Sequence, residues 1–431
     1  MLREPMTNGK TGLFHHFTTS ARVGFFLGFR QVKRSNMWTT TLIISVMTLT
    51  FLNLVVVSGI LVGLIEGAVE AVRGRYTSDV IVSNLAEKTY IERSPTIIES
   101  TKALPWVEAV TARYVEGGTI EANYKTKIRQ TDLSDEASTV MAGIDPVRED
   151  QVTGLSNLLI EGTYLEPGDY DKVLVGALLL KQYLDFEAPG FSTLDNVHVG
   201  TKVRVNIGGN FREVTVKGIT KSKVDEIDRR VFFVDTQLRS LIGRNDFNVD
   251  EIAIKLKPDG DPVVVKEALL ANGFGAFAKV QTYEDGQPKF LKDIKATFAL
   301  LGNVISSIGL AVASITIFIV IFVNAITRRK FIGILKGIGI HNHALEIAYV
   351  LQALFYAVIG TAIGLIILFG ILKPYIAAHP INFPFSDGIL VATASGTAIR
   401  VIVLFVATLI AGYIPARIVV KQNTLDAILG R

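Results

Sequence analysis

The sequence predicts an α-helical membrane protein with four transmembrane helices in a one-plus-three order and a mixed α/β extracytoplasmic domain inserted between helices 1 and 2. Three observations predict it. Uncharged stretches recur at 37–65, 296–327, 347–372 and 395–416, with Arg400 the only charge within the last before its basic end. A helix of about 20 apolar residues crosses the ~30 Å hydrocarbon layer, and each stretch meets that length. Charge is also segregated. Residues 66–295 hold 29 Lys/Arg against 36 Asp/Glu, whereas the rest of the chain holds 15 against 4. The net +4 of the whole chain therefore reflects basic membrane-flanking segments, not a nucleic-acid surface.

The N-terminal segment 1–36 carries Lys10, Arg22, Arg30, Lys33 and Arg34 with no acid between Pro5 and Met37. Phe25, Phe26, Leu27, Phe29 and Val32 interleave with them, which predicts an amphipathic helix on the cytoplasmic face. The first apolar stretch is too long for a signal-peptide h-region, so it is expected to remain as a span. Residues 328–346 and 417–431 are likewise basic, with Arg328, Arg329, Lys330 and Lys336 in the first and Arg417, Lys421 and Arg431 in the second. The positive-inside rule places all three segments, and both termini, in the cytoplasm of a cell-membrane protein. The large domain 66–295 and the loop 373–394 then lie outside. Ala296–Thr327 alone would make a helix of about 48 Å at 1.5 Å per residue, predicting stalks that leave the bilayer.

Within the outer domain, Asp79–Leu85 reads as a strand and Ser94-Pro95 as a helix start. Val107–Arg129 reads as two strands around Gly117-Gly118, and Lys202–Thr220 as a hairpin around Gly208-Gly209-Asn210. Glu251–Leu256, Pro262–Asn272 and Lys279–Thr282 give strand, helix and strand. The order suggests one subdomain interrupted by another. With no cysteine, the domain folds without disulfides.

Chemistry is sparse. No G-x-x-x-x-G-K-[ST] phosphate loop and no H-E-x-x-H spacing occurs, so no catalytic, cofactor-binding or metal residues are assigned and the chain is not expected to be an enzyme. His341 and His343 lack further ligands. Asp225, Glu226, Asp228, Arg229 and Arg230 read first as a solvated turn with local ion pairs, and second as a docking surface. The first three spans contain no ionisable residue, which disfavours a secondary transporter. Arg400 is expected to snorkel near the outer interface. Gly360 and Gly364, with Ala353, Ala357 and Thr361 alongside, and Gly309 with Ala313, are expected to be helix-packing positions.

Arg328–Ile340, RRKFIGILKGIGI, resembles the cytoplasmic loop of the MacB/FtsX-like ABC transporter permeases: basic residues, then an I-G-[IV]-L-[KR]-A-[IL]-G core. Phe331 stands where an acidic residue is usual, and Gly337 where alanine is usual. Tyr413-Ile414-Pro415-Ala416-Arg417 with Asn423–Leu429, Gly28-Phe29-Arg30 with Lys33-Arg34, Glu161–Leu165, Val173–Gly176 and Val199–Val203 resemble further family motifs in order. That family includes lipoprotein-releasing LolC/LolE-like members. The resemblance implies that Arg328, Arg329, Lys330, Ile332, Gly333, Leu335, Lys336, Gly337 and Gly339 belong to a coupling helix that docks on a separate ABC ATPase subunit. From the residues alone, Ile332, Ile334, Leu335 and Ile338 form an apolar stripe on this short basic helix.

The expected function is therefore the permease subunit of a mechanotransmission-type transporter, with ATP and Mg bound by the partner ATPase. A second copy or related permease, membrane lipids, and a periplasmic adaptor or lipoprotein carrier are the other expected partners; nucleic acid is not. The work would be export or extraction of lipoprotein, lipid, peptide or drug. The alternative is an FtsX-like regulator that activates an extracellular partner such as a cell-wall hydrolase.

Overall fold

The computed structural model describes residues 9–125, 134–184, 192–287, 289–383 and 386–422. The chain divides into two compact units. One holds residues 1–63, 293–381 and 388–431, and the other holds 64–292 with 382–387.

The first unit is helical. An N-terminal helix, Gly9–Lys33, precedes the first of the four helices that, among the described residues, are long and apolar enough to cross a membrane. That helix spans Met37–Thr77, with π turns at Asn53–Val57 and Arg73–Thr77. Asn36 starts it, its side-chain oxygen accepting from the Trp38 amide at 3.0 Å. The second runs Lys289–Thr327. The third, Asn342–Ile367, is prolonged by Leu368–Leu372 and Lys373–Ala378, and the fourth is Ala394–Val420. A short helix, Arg329–Gly337, lies between the second and third. Ile43, Met47 and Phe51 of the first helix are fully buried in one cluster with Tyr349, Ala353, Tyr356 and Ala357 of the third.

The N-terminal helix does more than present an amphipathic face. Gly24 and Gly28 form a G-x-x-x-G against the third helix, where a Cβ would fall 2.8 Å from Ala344 O and 2.9 Å from Ala348 O respectively. Small residues permit that approach.

The second unit is built on strands β1 (Val80–Ser83), β2 (Val107–Ala122), β3 (Asp135–Ile144), β4 (Leu159–Gly162), β5 (Lys172–Gly176), β6 (Lys202–Ile207), β7 (Asn210–Thr220), β8 (Arg230–Val234), β9 (Glu251–Leu256) and β10 (Lys279–Thr282). They pair in the order β10-β1-β9-β2-β3-β8-β5-β7-β4, with β6 on β2 and β7. All pairs are antiparallel except β3–β8 and β5–β7. The β6–β7 hairpin turns at Gly208 and Gly209, whose φ values of 56° and 88° suit glycine.

Two expectations change. Val107–Ala122 is one strand, not two around Gly117-Gly118. Gly118 instead admits a neighbouring backbone, since a Cβ there would lie 2.6 Å from Asn206 O of β6. Because β2 is this long, its first half pairs with β9 and its second with β3, so both ends of the domain join one hydrogen-bonded network. No separate interrupting subdomain results. Val82, Ile97, Ile120, Val205, Phe233, Ile252 and Leu269 are among its fully buried core side chains.

Candidate coupling helix and buried anchors

The basic helix Arg329–Gly337 follows the second long helix after a single break at Arg328. Its apolar residues divide between two faces. Ile332 and Gly333 are buried and Leu335 is half-buried within the helical unit. Phe331, Ile334 and Ile338 are exposed, at 68%, 52% and 71%. The single stripe expected from the sequence is therefore two: one holds the helix in place, the other faces outward. Phe331, which departs from the family pattern, is the largest side chain of the outward face. Its size at a position that is usually acidic was the signal available in the sequence.

The basic residues also differ in use. Lys336 Nζ donates to the carbonyls of Val420 and Gln422, each at 2.9 Å. Val420 ends the fourth helix, where carbonyls lack partners within it, and Gln422 lies two residues beyond. Lys336 is thus an internal cap and not a free contact residue. Arg328 and Arg329 are half-buried and Lys330 is exposed. The helix ends with Gly339 at φ 96°, and Ile340 N bonds back to Leu335 O at 3.0 Å. His341 and His343 stack at 5.0 Å between ring centroids, and His343 Nδ1 lies 3.2 Å from Glu346 Oε2. Among the described residues, no group of three or more His, Asp or Glu is placed to hold a metal.

The packing glycines sit against the first helix. A Cβ on Gly360 would lie 2.5 Å from Met47 Cβ, and Thr48 Oγ1 donates to Gly360 O at 3.1 Å. Gly364 abuts Phe51, and a Cβ on Gly309 would lie 2.5 Å from Asn53 Oδ1. Ala313 is buried. Arg400 is directed to the same helix, its Nη2 donating to Ser58 Oγ at 2.8 Å.

A second glycine series went unread in the sequence. Gly59, Gly63 and Gly67 recur every fourth residue of the first helix, and backbone carbonyls of the segment after the third helix rest on them. A Cβ on Gly59 would lie 2.7 Å from Val391 O, one on Gly67 2.5 Å from Asp387 O, and Gly63 meets Ile389 O still more closely. Val391 N also donates to Gly59 O at 3.2 Å. The G-x-x-x-G-x-x-x-G spacing was the signal available.

In the α/β unit, the charges 225–230 divide: Asp225 is exposed and pairs locally with Arg229 at 3.6 Å, as a solvated turn would, whereas Asp228 and Arg230 are buried. Asp228 is buried and accepts from Ser222 N, Ser222 Oγ and Lys223 N at 2.7, 2.9 and 2.7 Å. Burial pushes its carboxyl up despite those bonds. Arg230 joins Arg113, Glu149, Glu251 and Tyr76 in a buried network. Arg113 Nη2 lies 2.7 Å from Glu149 Oε1 and Nη1 lies 3.2 Å from Glu251 Oε2, while Arg230 Nη2 lies 2.9 Å from Glu251 Oε1. Burial opposes charge on Glu251, yet Arg230 and Arg113 hold its carboxyl down at about 2. Two cations and two anions balance, as buried charges require. In the same unit Lys223 Nζ pairs with Asp387 Oδ1 at 2.6 Å and with Asn382 Oδ1 at 2.5 Å.

Residues 423–431, including the Asn423–Leu429 motif and Arg431, lie outside the described residues. Residues 303–424 match the family model described as FtsX-like permease C-terminal. No curated protein matches the chain. Among solved structures, the chain aligns with the periplasmic region of MacB from Actinobacillus actinomycetemcomitans at 15% identity and TM-score 0.35, covering 49% of this chain and 92% of that one. It also aligns with the extracellular domain of the noncanonical ABC-type transporter YknZ from Gram-positive bacteria at 14% identity and TM-score 0.32, covering 47% and 99%. The family model extends from the second long helix through the basic helix to the end of the fourth, so this C-terminal region is similar to the FtsX-like permease C-terminal domain.

Proposed function

We propose that this chain is a MacB/FtsX-like ABC transporter permease that couples ATP hydrolysis by a separate ATPase subunit to motion of its α/β domain. Its topology is then one span, the outer domain, and three spans, with both termini cytoplasmic. Two copies, or this chain with a related permease, would pair with two ATPases, which bind the ATP and Mg. The substrate class is lipoprotein, lipid, peptide or drug handled on the outer side, with an adaptor or carrier receiving it. The observation that carries the reading is the exposed Phe331–Ile334–Ile338 face, flanked by Arg329 and Lys330, on a helix whose other face is packed into the bundle. Large apolar side chains rimmed by cations suit an apolar groove edged with carboxylates.

The test is co-purification of the ATPase with Phe331→Asp plus Ile338→Asp. Expression should persist and the ATPase should be lost. Undiminished co-purification would sink the docking assignment. Gly333 and Leu335 are unsuitable probes, because Asp there would disturb internal packing.

A further inference from the structure

Beside the basic helix lies a cavity of about 460 Å³ whose lining includes Arg30, Gln31, Arg34, Arg328 and Tyr349, and which shares Phe331 with the outward face. Three features set it apart. First, Arg30, Arg34 and Arg328 converge on it, and none pairs with a carboxylate among the described residues. Arg30 has a cation–π contact with Phe26 at 6.0 Å. Second, Tyr349 is only 1% exposed and its hydroxyl faces the Gln31 side chain, yet neither that hydroxyl nor Gln31 Oε1 makes a hydrogen bond of normal geometry. An unsatisfied buried hydroxyl or carbonyl costs about 1–3 kcal/mol, so both groups call for a partner that brings donors and acceptors. Third, the remaining wall is apolar: Leu27, Ile332, Leu335 and Leu345.

The position narrows the ligand. Arg34 lies just before the first apolar helix begins at Met37, Arg328 just after the second ends at Thr327, and Tyr349 in the opening turns of the third. All three lining elements therefore meet at span ends, the level at which lipid headgroups lie. We propose that this cavity binds the headgroup of an anionic phospholipid. The arginine guanidinium groups and the Tyr349 hydroxyl donate to the phosphodiester oxygens, a headgroup hydroxyl donates to Gln31 Oε1, and the apolar wall takes the glycerol and the first methylenes. Three uncompensated cations favour a net anionic lipid, because a zwitterionic one brings its own ammonium.

The full-length protein, delipidated in detergent, is titrated with phosphatidylglycerol or phosphatidylcholine and read by native mass spectrometry. Wild type should retain phosphatidylglycerol at least about tenfold better. The triple variant Arg30→Gln, Arg34→Gln, Arg328→Gln should lose that preference. Tyr349→Phe should weaken it about threefold or more, since a hydrogen bond to a charged group is removed. The control triple Arg22→Gln, Lys33→Gln, Lys421→Gln removes the same charge away from the cavity and should keep the preference. Equal retention of both lipids by wild type, or equal loss in both triples, would overturn the site. Displacement of phosphatidylglycerol by millimolar inorganic phosphate, with no lipid preference remaining, would assign the cavity to a free anion and overturn the lipid. ATPase co-purification with Ile338→Asp alone, a residue that does not line the cavity, reads the outward face independently.

Discussion

The Tyr76 hydroxyl donates to Glu251 Oε1 at 2.7 Å, tying the last turn of the first long helix to β9. The same turn is held through its backbone, where Arg113 Nη2 donates to Tyr76 O at 2.9 Å. The helix end is thus bound to the sheet by charged groups that are buried or nearly so.

Glu251→Gln should destabilise the α/β unit by about 3–5 kcal/mol, because it leaves Arg113 and Arg230 undercompensated. Hydrogen exchange of β9 in the full protein checks this. The pH dependence follows from sign. Glu251 has its carboxyl depressed on folding, so its contribution is present above about pH 5 and is lost as pH falls towards 2. Asp169, held down at about 2 by Lys172 and Lys217 against a burial effect that raises it, adds in the same direction. The variant should show a shallower loss over that window than wild type.

Gly63→Ala should lower the thermal midpoint of the full protein, since its Cβ would collide with the Ile389 carbonyl and backbone must move; overpacking of this kind costs about 1–3 kcal/mol. Gly74 lies on the same helix with open space around its Cβ position. Gly74→Ala should be neutral or raise the midpoint. Equal effects at the two positions would remove the close-approach argument.

Gly337 and Gly339 differ only by conformation, since both have open space. Gly337→Ala should stabilise the basic helix by up to about 1 kcal/mol through helix propensity. Gly339→Ala, at φ 96°, should cost about 1 kcal/mol or more. Exchange rates at Leu335–Ile340 separate the two.

Lys336→Met removes the donor to Val420 O and Gln422 O while keeping the aliphatic stem. Amide exchange should accelerate over Arg417–Lys421, with a loss of about 1–2 kcal/mol at that helix end. Unchanged exchange there would show that the cap is dispensable.

Much of this was legible in the sequence, because apolar length, charge asymmetry and hairpin glycines are local signals. Lys202–Thr220 folds as its Gly-Gly spacing predicts. What escaped depends on partners distant in the chain. Gly117-Gly118 looks like a turn until β6 is known to cross it. Arg230 and Asp228 look solvated until Tyr76 and Ser222 are placed beside them. The stripe on the basic helix could not be divided into inner and outer faces without the bundle it packs against. The lipid cavity gathers residues from the N-terminal helix, the basic helix and the third long helix, so no single segment announces it.

The glycine series at 59, 63 and 67 has a further consequence for sequence variation. Its partners are carbonyl oxygens of Asp387, Ile389 and Val391, groups that every amino acid carries. The carbonyl contacts are therefore blind to the side chains at 387, 389 and 391 and strict on the helix side, while Leu390, whose Cδ1 also meets Gly59, stays fixed by its own packing. Relatives could exchange the side chains of 389 and 391 freely and keep the seat intact, while one methyl on the helix would unseat it.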